Sequence, residues 1–192
     1  MQSYSKKAML VGVLVVSMVM AGCSAQWIQV ALEDLPVLAQ MALNLGSLAA
    51  AVEGKTMSAA ETASIQNISN EAGKDLSLLQ TLYNDYKENP SESGMQKIED
   101  AIGTLQQNLT GMLAAAHISD PATAQRVTAG VNLILSTVES FAVLMSQTGK
   151  KASPRLASKP GANTEHQVIN AKDLKANWNQ VVCGGVVGCV VK

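Results

Sequence analysis

Between residues 95 and 116, apolar side chains fall at Met95, Ile98, Ile102, Leu105, Leu109, Met112 and Ala116, in alternating steps of three and four. A second run leaves Ala124 and continues through Val127, Val131, Ile134, Val138, Phe141 and Met145. Leu38, Met41, Leu45, Leu48 and Val52 repeat the rule earlier. Ile65, Ile68, Ala72, Leu76, Leu79, Leu82 and Tyr86 follow it more loosely. Such steps keep pace with a helical turn of about 3.6 residues, so each run lays one apolar stripe along one side of a helix. Each stripe needs a partner to bury it.

Local signals set the expected boundaries. Ser58–Glu61 (SAAE) and Ser93–Gln96 (SGMQ) have the form of capping boxes and open the second and third helices. Asp120 followed by Pro121 makes an N-cap and first-turn pair for the fourth. Asn89-Pro90 closes the second, because a residue before proline avoids the helical region. Glu33 and Asp34, just ahead of Pro36, are acids of the kind that favour a helix start, which places the first long helix near Asp34. Residues 25–32 read as a kinked extension of it. Short connections favour antiparallel neighbours, so the expected fold is all-α: an antiparallel, up-down four-helix bundle over residues 34–147.

Beyond that the texture changes. Residues 148–168 are rich in Pro, Gly, Ser and Lys, and Lys150, Lys151, Arg155 and Lys159 precede the first acid, Glu165. They read as a flexible basic linker, solvated or in contact with anionic headgroups or polymer. Residues 170–180 follow as a short amphipathic helix capped by Asn170, with Leu174 and Trp178 poised to dock on the bundle. Residues 169–192 end in a cysteine-containing tail, VVCGGVVGCVVK.

The amino terminus carries a different pattern. Lys6 and Lys7 precede an uncharged apolar run, Ala8–Val19, and small residues follow at Ala21 and Gly22. The run is shorter than the roughly 20 residues of a membrane-crossing helix and has the build of a secretory signal. Met20-Ala21-Gly22-Cys23 resembles the bacterial lipobox, with Met20 where leucine is commonest. The resemblance implies cleavage after residue 22, acylation of Cys23, and a membrane tether held by two or three acyl chains. Residues 23–33 then form the lipidated lead-in. Ser24 in place of an aspartate implies attachment to the outer membrane, facing the periplasm.

Composition narrows the function. Removal of residues 1–22 takes away two of 14 basic residues and none of 15 acids, leaving 170 residues with a net charge of −3. So mild an acidity argues against a nucleic-acid partner. Aromatic content is 3%, so the core must be aliphatic. With Cys23 acylated, Cys183 and Cys189 are the remaining thiols, and in an oxidising compartment a disulfide between them is expected. Gly184, Gly185 and Gly188 let so short a ring close. Redox exchange, a metal site and edge pairing by the valines stay open as alternatives for this tail.

Reactive chemistry is sparse. His117 lies at the end of the third helix and His166 in the linker, and neither sits in a spacing that suggests a relay. No zinc, haem or phosphate-loop motif occurs. Met41, Met95, Met112 and Met145 fall on the stripes and read as core filling, not copper ligands. Glu61, Glu71, Glu99 and Glu139 lie off the stripes and read as surface. NIS (67–69) and NLT (108–110) match a glycosylation sequon but fall inside helices. No catalytic residue, cofactor or metal is expected. The expected function is that of a lipid-anchored envelope protein, a non-enzymatic binding or scaffolding bundle with a protein partner. A carrier of a small apolar ligand or lipid, with Gly103, Gly111 and Gly130 leaving room between helices, is the alternative. An enzyme is the third.

Overall fold

A computed structural model describes residues 3–149, 170–184 and 189–191, with the side chains of 3–26 and 146–149 outside that description. Lys150, Lys151, Arg155, Lys159, His166, Gly185 and Gly188 therefore lie outside the described residues. The described part is all-α: α1 Ser3–Val52, α2 Ala59–Glu88, α3 Glu92–Ala115, α4 Pro121–Gly149 and α5 Ala171–Asn177, which runs on as one π-turn, Trp178–Cys183. α1 packs on α2, α4 and α5, α3 packs on α2 and α4, and the π-turn packs on α4.

The stripes form the core. Leu38, Met41, Leu45 and Leu48 on α1 are buried, as are Ile65, Ile68, Ala72, Leu76 and Leu79 on α2. So are Ile98, Ile102, Leu105 and Leu109 on α3, and every α4 stripe position from Val127 to Met145. Met95, Met112, Ala116, Leu82 and Tyr86 are partly buried against the same cluster. By length and apolar character alone, Trp27–Val52 and Pro121–Met145 could each cross a membrane, yet both put their stripes into this shared core.

Caps follow side-chain chemistry closely. Ser58 N donates to Glu61 Oε2 at 2.8 Å while Ser58 Oγ accepts from Glu61 N at 3.3 Å, a complete capping box. Asp120 Oδ2 accepts from Thr123 N at 2.8 Å. Asn170 Oδ1 accepts from Lys172 N and Asp173 N, both at 3.1 Å. α2 stops at Glu88, one residue before Asn89-Pro90.

Two boundaries and one side chain differ from the sequence reading. α3 is capped by Ser91, whose Oγ accepts from Gly94 N at 3.1 Å, so Ser93 lies within the first turn and the SGMQ box is not used. Pro90 stops α2, and the first serine after it serves as the cap. α1 does not begin near Asp34 but runs through it, with Pro36 inside the helix. A proline there removes one helical hydrogen bond, the one that the Leu32 carbonyl would accept; Pro36 itself is exposed. Burial of Trp27, Ile28, Ala31 and Leu35 outweighs that loss. The third difference is Asp34 itself, which is 1% exposed rather than capping a helix.

Candidate functional site

Two regions gather the chain's uncommon residues. The first is a carboxy-terminal clasp. Cys183 and Cys189 form a disulfide with a Cα–Cα distance of 5.3 Å, and both are buried. The bridge turns the tail back over the π-turn, and Gly184, with φ +48°, takes the left-handed conformation that ends it. Cys189 O then accepts two hydrogen bonds, from Asn44 Nδ2 on α1 at 2.7 Å and from the Trp178 indole at 3.2 Å. Asn179 pairs with Val191 twice: its Nδ2 donates to Val191 O at 3.1 Å, and its Oδ1 accepts from Val191 N at 2.9 Å. Gln40 Nε2 donates to Asn44 Oδ1 at 3.0 Å and completes the network. The buried Asn44 amide, bonded to Cys189 O and to Gln40, and the two bonds of Asn179 favour one seating of the tail. The tail is thus part of the core and does more than shape the chain end.

Trp178 is fully buried and lies against α4 at Gly130. A Cβ at Gly130 would sit 2.9 Å from Leu45 Cδ2 and 3.1 Å from the indole ring. The space that the sequence left at Gly130 for a ligand is therefore filled by Trp178 and Leu45. At Gly103 and Gly111 a Cβ would meet nothing within 4 Å. Beside the π-turn, Ala129, Asn132, Leu133, Ser136, Asn177, Val181 and Val182 line a shallow groove of about 340 Å³, open to solvent.

The second region is the end of the molecule where Cys23 enters the fold. Cys23 is a residue of α1, one turn before Trp27. The Trp27 ring meets Tyr83 edge-on at 5.7 Å and Tyr86 at 6.0 Å, and Tyr83 meets Phe141 at 6.3 Å. Edge-to-face contacts of this kind add to the area they bury. The Tyr83 hydroxyl donates to Met145 Sδ at 3.8 Å, and burial raises its pKa. Spacing on α2 pointed to Leu82 and Tyr86, whereas Tyr83 between them is the fully buried one. Two turns beyond Trp27, Asp34 Oδ2 has no hydrogen-bond partner. Burial, with the nearby Glu33 charge second, pushes Asp34 up to about 6.

The other singled-out residues are dispersed. Glu61 serves both Ser58 and the α3–α4 connection, where its Oε1 accepts from Ser119 N at 2.6 Å; these hydrogen bonds pull its pKa down to about 2. Glu99 and Glu139 are exposed, and Glu71 pairs with Lys74 at 3.2 Å. His117 is exposed, Ser119 beside it donates its backbone N–H to Glu61, and Asp120 caps α4. Met41 and Met145 are buried in the core. Ser69 of the NIS triplet is buried and donates to Ala42 O at 2.6 Å, and Asn108 of NLT donates to Asp75 Oδ2 at 3.1 Å. Among the described residues, no three His, Cys, Asp or Glu side chains gather where they could hold a metal ion. No family model matches the chain, and no curated protein or solved structure is similar to it.

Proposed function

We propose that this chain is an exported lipoprotein whose mature part, from acylated Cys23 onward, is an up-down-up-down four-helix bundle that works by binding or scaffolding. It is tethered by its acyl chains to the outer membrane, faces the periplasm and presents its surface to a protein partner. The observation that carries the reading is the match between the helices. Trp27 meets Tyr83 and Tyr86, while Ala42 pairs with Ser69. Each step back along α1 is therefore a step forward along α2. On that count Glu88, the last residue of α2, stands level with about residue 23 of α1, at equal rise per residue. The part of α1 before Cys23 outruns its neighbour, as a segment destined for removal would. From Cys23 to Val52 the helix has 30 residues, the same as α2.

The antiparallel arrangement draws support from the other contacts. Asn108 reaches Asp75 from α3, Gly130 lies against Leu45, and Ser119 meets Glu61 at the far end. A largely aliphatic core shared by all four long helices suits a scaffold. Intact mass spectrometry of the protein extracted from bacterial membranes tests the reading. The expected species lacks residues 1–22, carries two or three acyl chains, and gains the mass of two hydrogens on reduction. Co-purification from detergent extract then identifies the partner. An unprocessed, unacylated chain in the soluble fraction would refute the tether.

A further inference from the structure

We infer that the anchor of this protein is a short leash: the end of the bundle built from Trp27, Tyr83, Tyr86 and Phe141 is held against the lipid headgroups, and the clasp end stands away from them. The inference rests on the lipoprotein reading above and adds orientation to it. A tether leaves its cargo free only if flexible chain separates lipid from fold. Here Cys23 is already helical, and four residues on, Trp27 is buried among aromatic rings on α2. Four helical residues advance about 6 Å. Even fully unwound, they span at most about 14 Å.

Rigidity beyond that point comes from α1 itself. Trp27, Ile28, Ala31, Leu35 and Leu38 are all buried, so the helix that carries the anchor cannot swing without opening the core. The bundle also has little reason to lie down on α1. The exposed strip of that helix carries Gln29, Glu33, Gln40, Leu43 and Ser47, with no cation to meet anionic headgroups. Trp178 shares the Gly130 site with Leu45, and Leu45 is 18 residues further along α1 than Trp27, about 27 Å of helix.

The chain's two tryptophans therefore make a ruler. Trp178→Phe leaves Trp27 as reporter, and Trp27→Phe leaves Trp178. Each acylated protein is reconstituted into phosphatidylethanolamine–phosphatidylglycerol vesicles containing lipids with a nitroxide on the headgroup. Trp27 is expected to lose most of its emission and Trp178 to keep it. A Gly-Ser insertion between Ser24 and Ala25 should restore Trp27 emission while vesicle binding persists. The unsubstituted protein gives a second measurement that needs no core variant. Amine labelling on vesicles should spare Lys87, beside Tyr86, and modify Lys55 in the α1–α2 turn, both of which are exposed in the fold. Equal quenching of the two tryptophans, quenching of neither, or equal labelling of the two lysines would overturn the short leash while the mass still shows acylated Cys23. If the mass shows no acyl chain and the protein leaves the vesicles, the lipoprotein reading falls and the leash with it.

Discussion

Three glycines inside helices separate two effects that usually come mixed. Glycine in a helix interior costs about 1 kcal/mol relative to alanine, so each Gly→Ala change begins with a gain of that size. At Gly103 and Gly111 a new Cβ meets nothing within 4 Å, and the gain stands. At Gly130 it would lie 2.9 Å from Leu45 Cδ2, and 3.1 and 3.3 Å from two Trp178 ring atoms. The leucine methyl can give way, but the indole is held by its bond to Cys189 O. Overpacking of this kind costs about 1–3 kcal/mol.

The same chemical change should thus have opposite signs at two places. Gly111→Ala is expected to stabilise by about 1 kcal/mol, raising Tm by about 2–4 °C for a chain of this size. Gly130→Ala is expected to destabilise by up to about 2 kcal/mol, lowering Tm by up to about 8 °C. Thermal unfolding followed by circular dichroism measures both, and Trp178 emission in a Trp27→Phe background reports whether the clasp shifts first. If Gly130→Ala stabilises as much as Gly111→Ala, Trp178 is not seated against α4 and the description of the clasp is wrong. In a Trp178→Leu background, Gly130→Ala should cost less than it does in the unsubstituted protein, because the ring it would strike is gone.

Other parts of the fold give sharper expectations at single residues. Replacing Cys183 and Cys189 together by serine opens a ring of seven residues and should lower stability by about 2 kcal/mol on the chain-entropy account; an unchanged urea midpoint would show that the bridge constrains nothing. Asp34 has a folded pKa of about 6, raised from 3.8. The folded state therefore holds the proton more tightly than the unfolded chain, and stability falls as pH rises between about 4 and 6, by a total of order 1–3 kcal/mol. Asp34→Asn should flatten that slope and be the more stable protein at pH 8; an unaltered pH profile would count against it. Glu61 has the opposite sign. Its folded pKa is about 2, below 4.5, so its contribution is present above about pH 4.5 and lost as pH falls towards 2. Glu61→Ala should speed amide exchange at Ser58 and Ser119 together, and exchange altered at only one of them would show that Glu61 does not join the two segments.

What was legible in the sequence is the part governed by period and by short-range polar geometry. From Val127 to Met145 the α4 stripe is buried position for position, as its three-and-four spacing required. Ser58, Asp120 and Asn170 cap as spaced because a cap needs only the next three residues. Asp34 was misread for the same local reason: an acid before a proline looks like a helix start. Its true surroundings are set by packing on α1 that no window of sequence contains. Tyr83 escaped because a stripe with loose spacing can rotate by one residue. The clasp was half legible. Two cysteines close together in the tail pointed to their bond, but Asn44 is 145 residues from Cys189, and nothing local marks an asparagine in α1 as its partner.

That distance has a consequence for how the ends of the chain are related. α1 touches α2, α4 and α5, so both the proposed anchor and the clasp are fixed to one helix. Its contacts with α2 are the most local of these, and those with the tail the least. Loop closure costs more entropy the longer the loop, so the contact between Asn44 and Cys189, 145 residues apart, carries a large closure cost. Once Cys183 and Cys189 are bridged, Cys189 O faces both Asn44 and Trp178. Both sulfur-bearing residues are then buried, so a thiolate reaches the bond only after the clasp has opened. Seating and the disulfide therefore protect each other, because the clasp must open before the bond can be reduced.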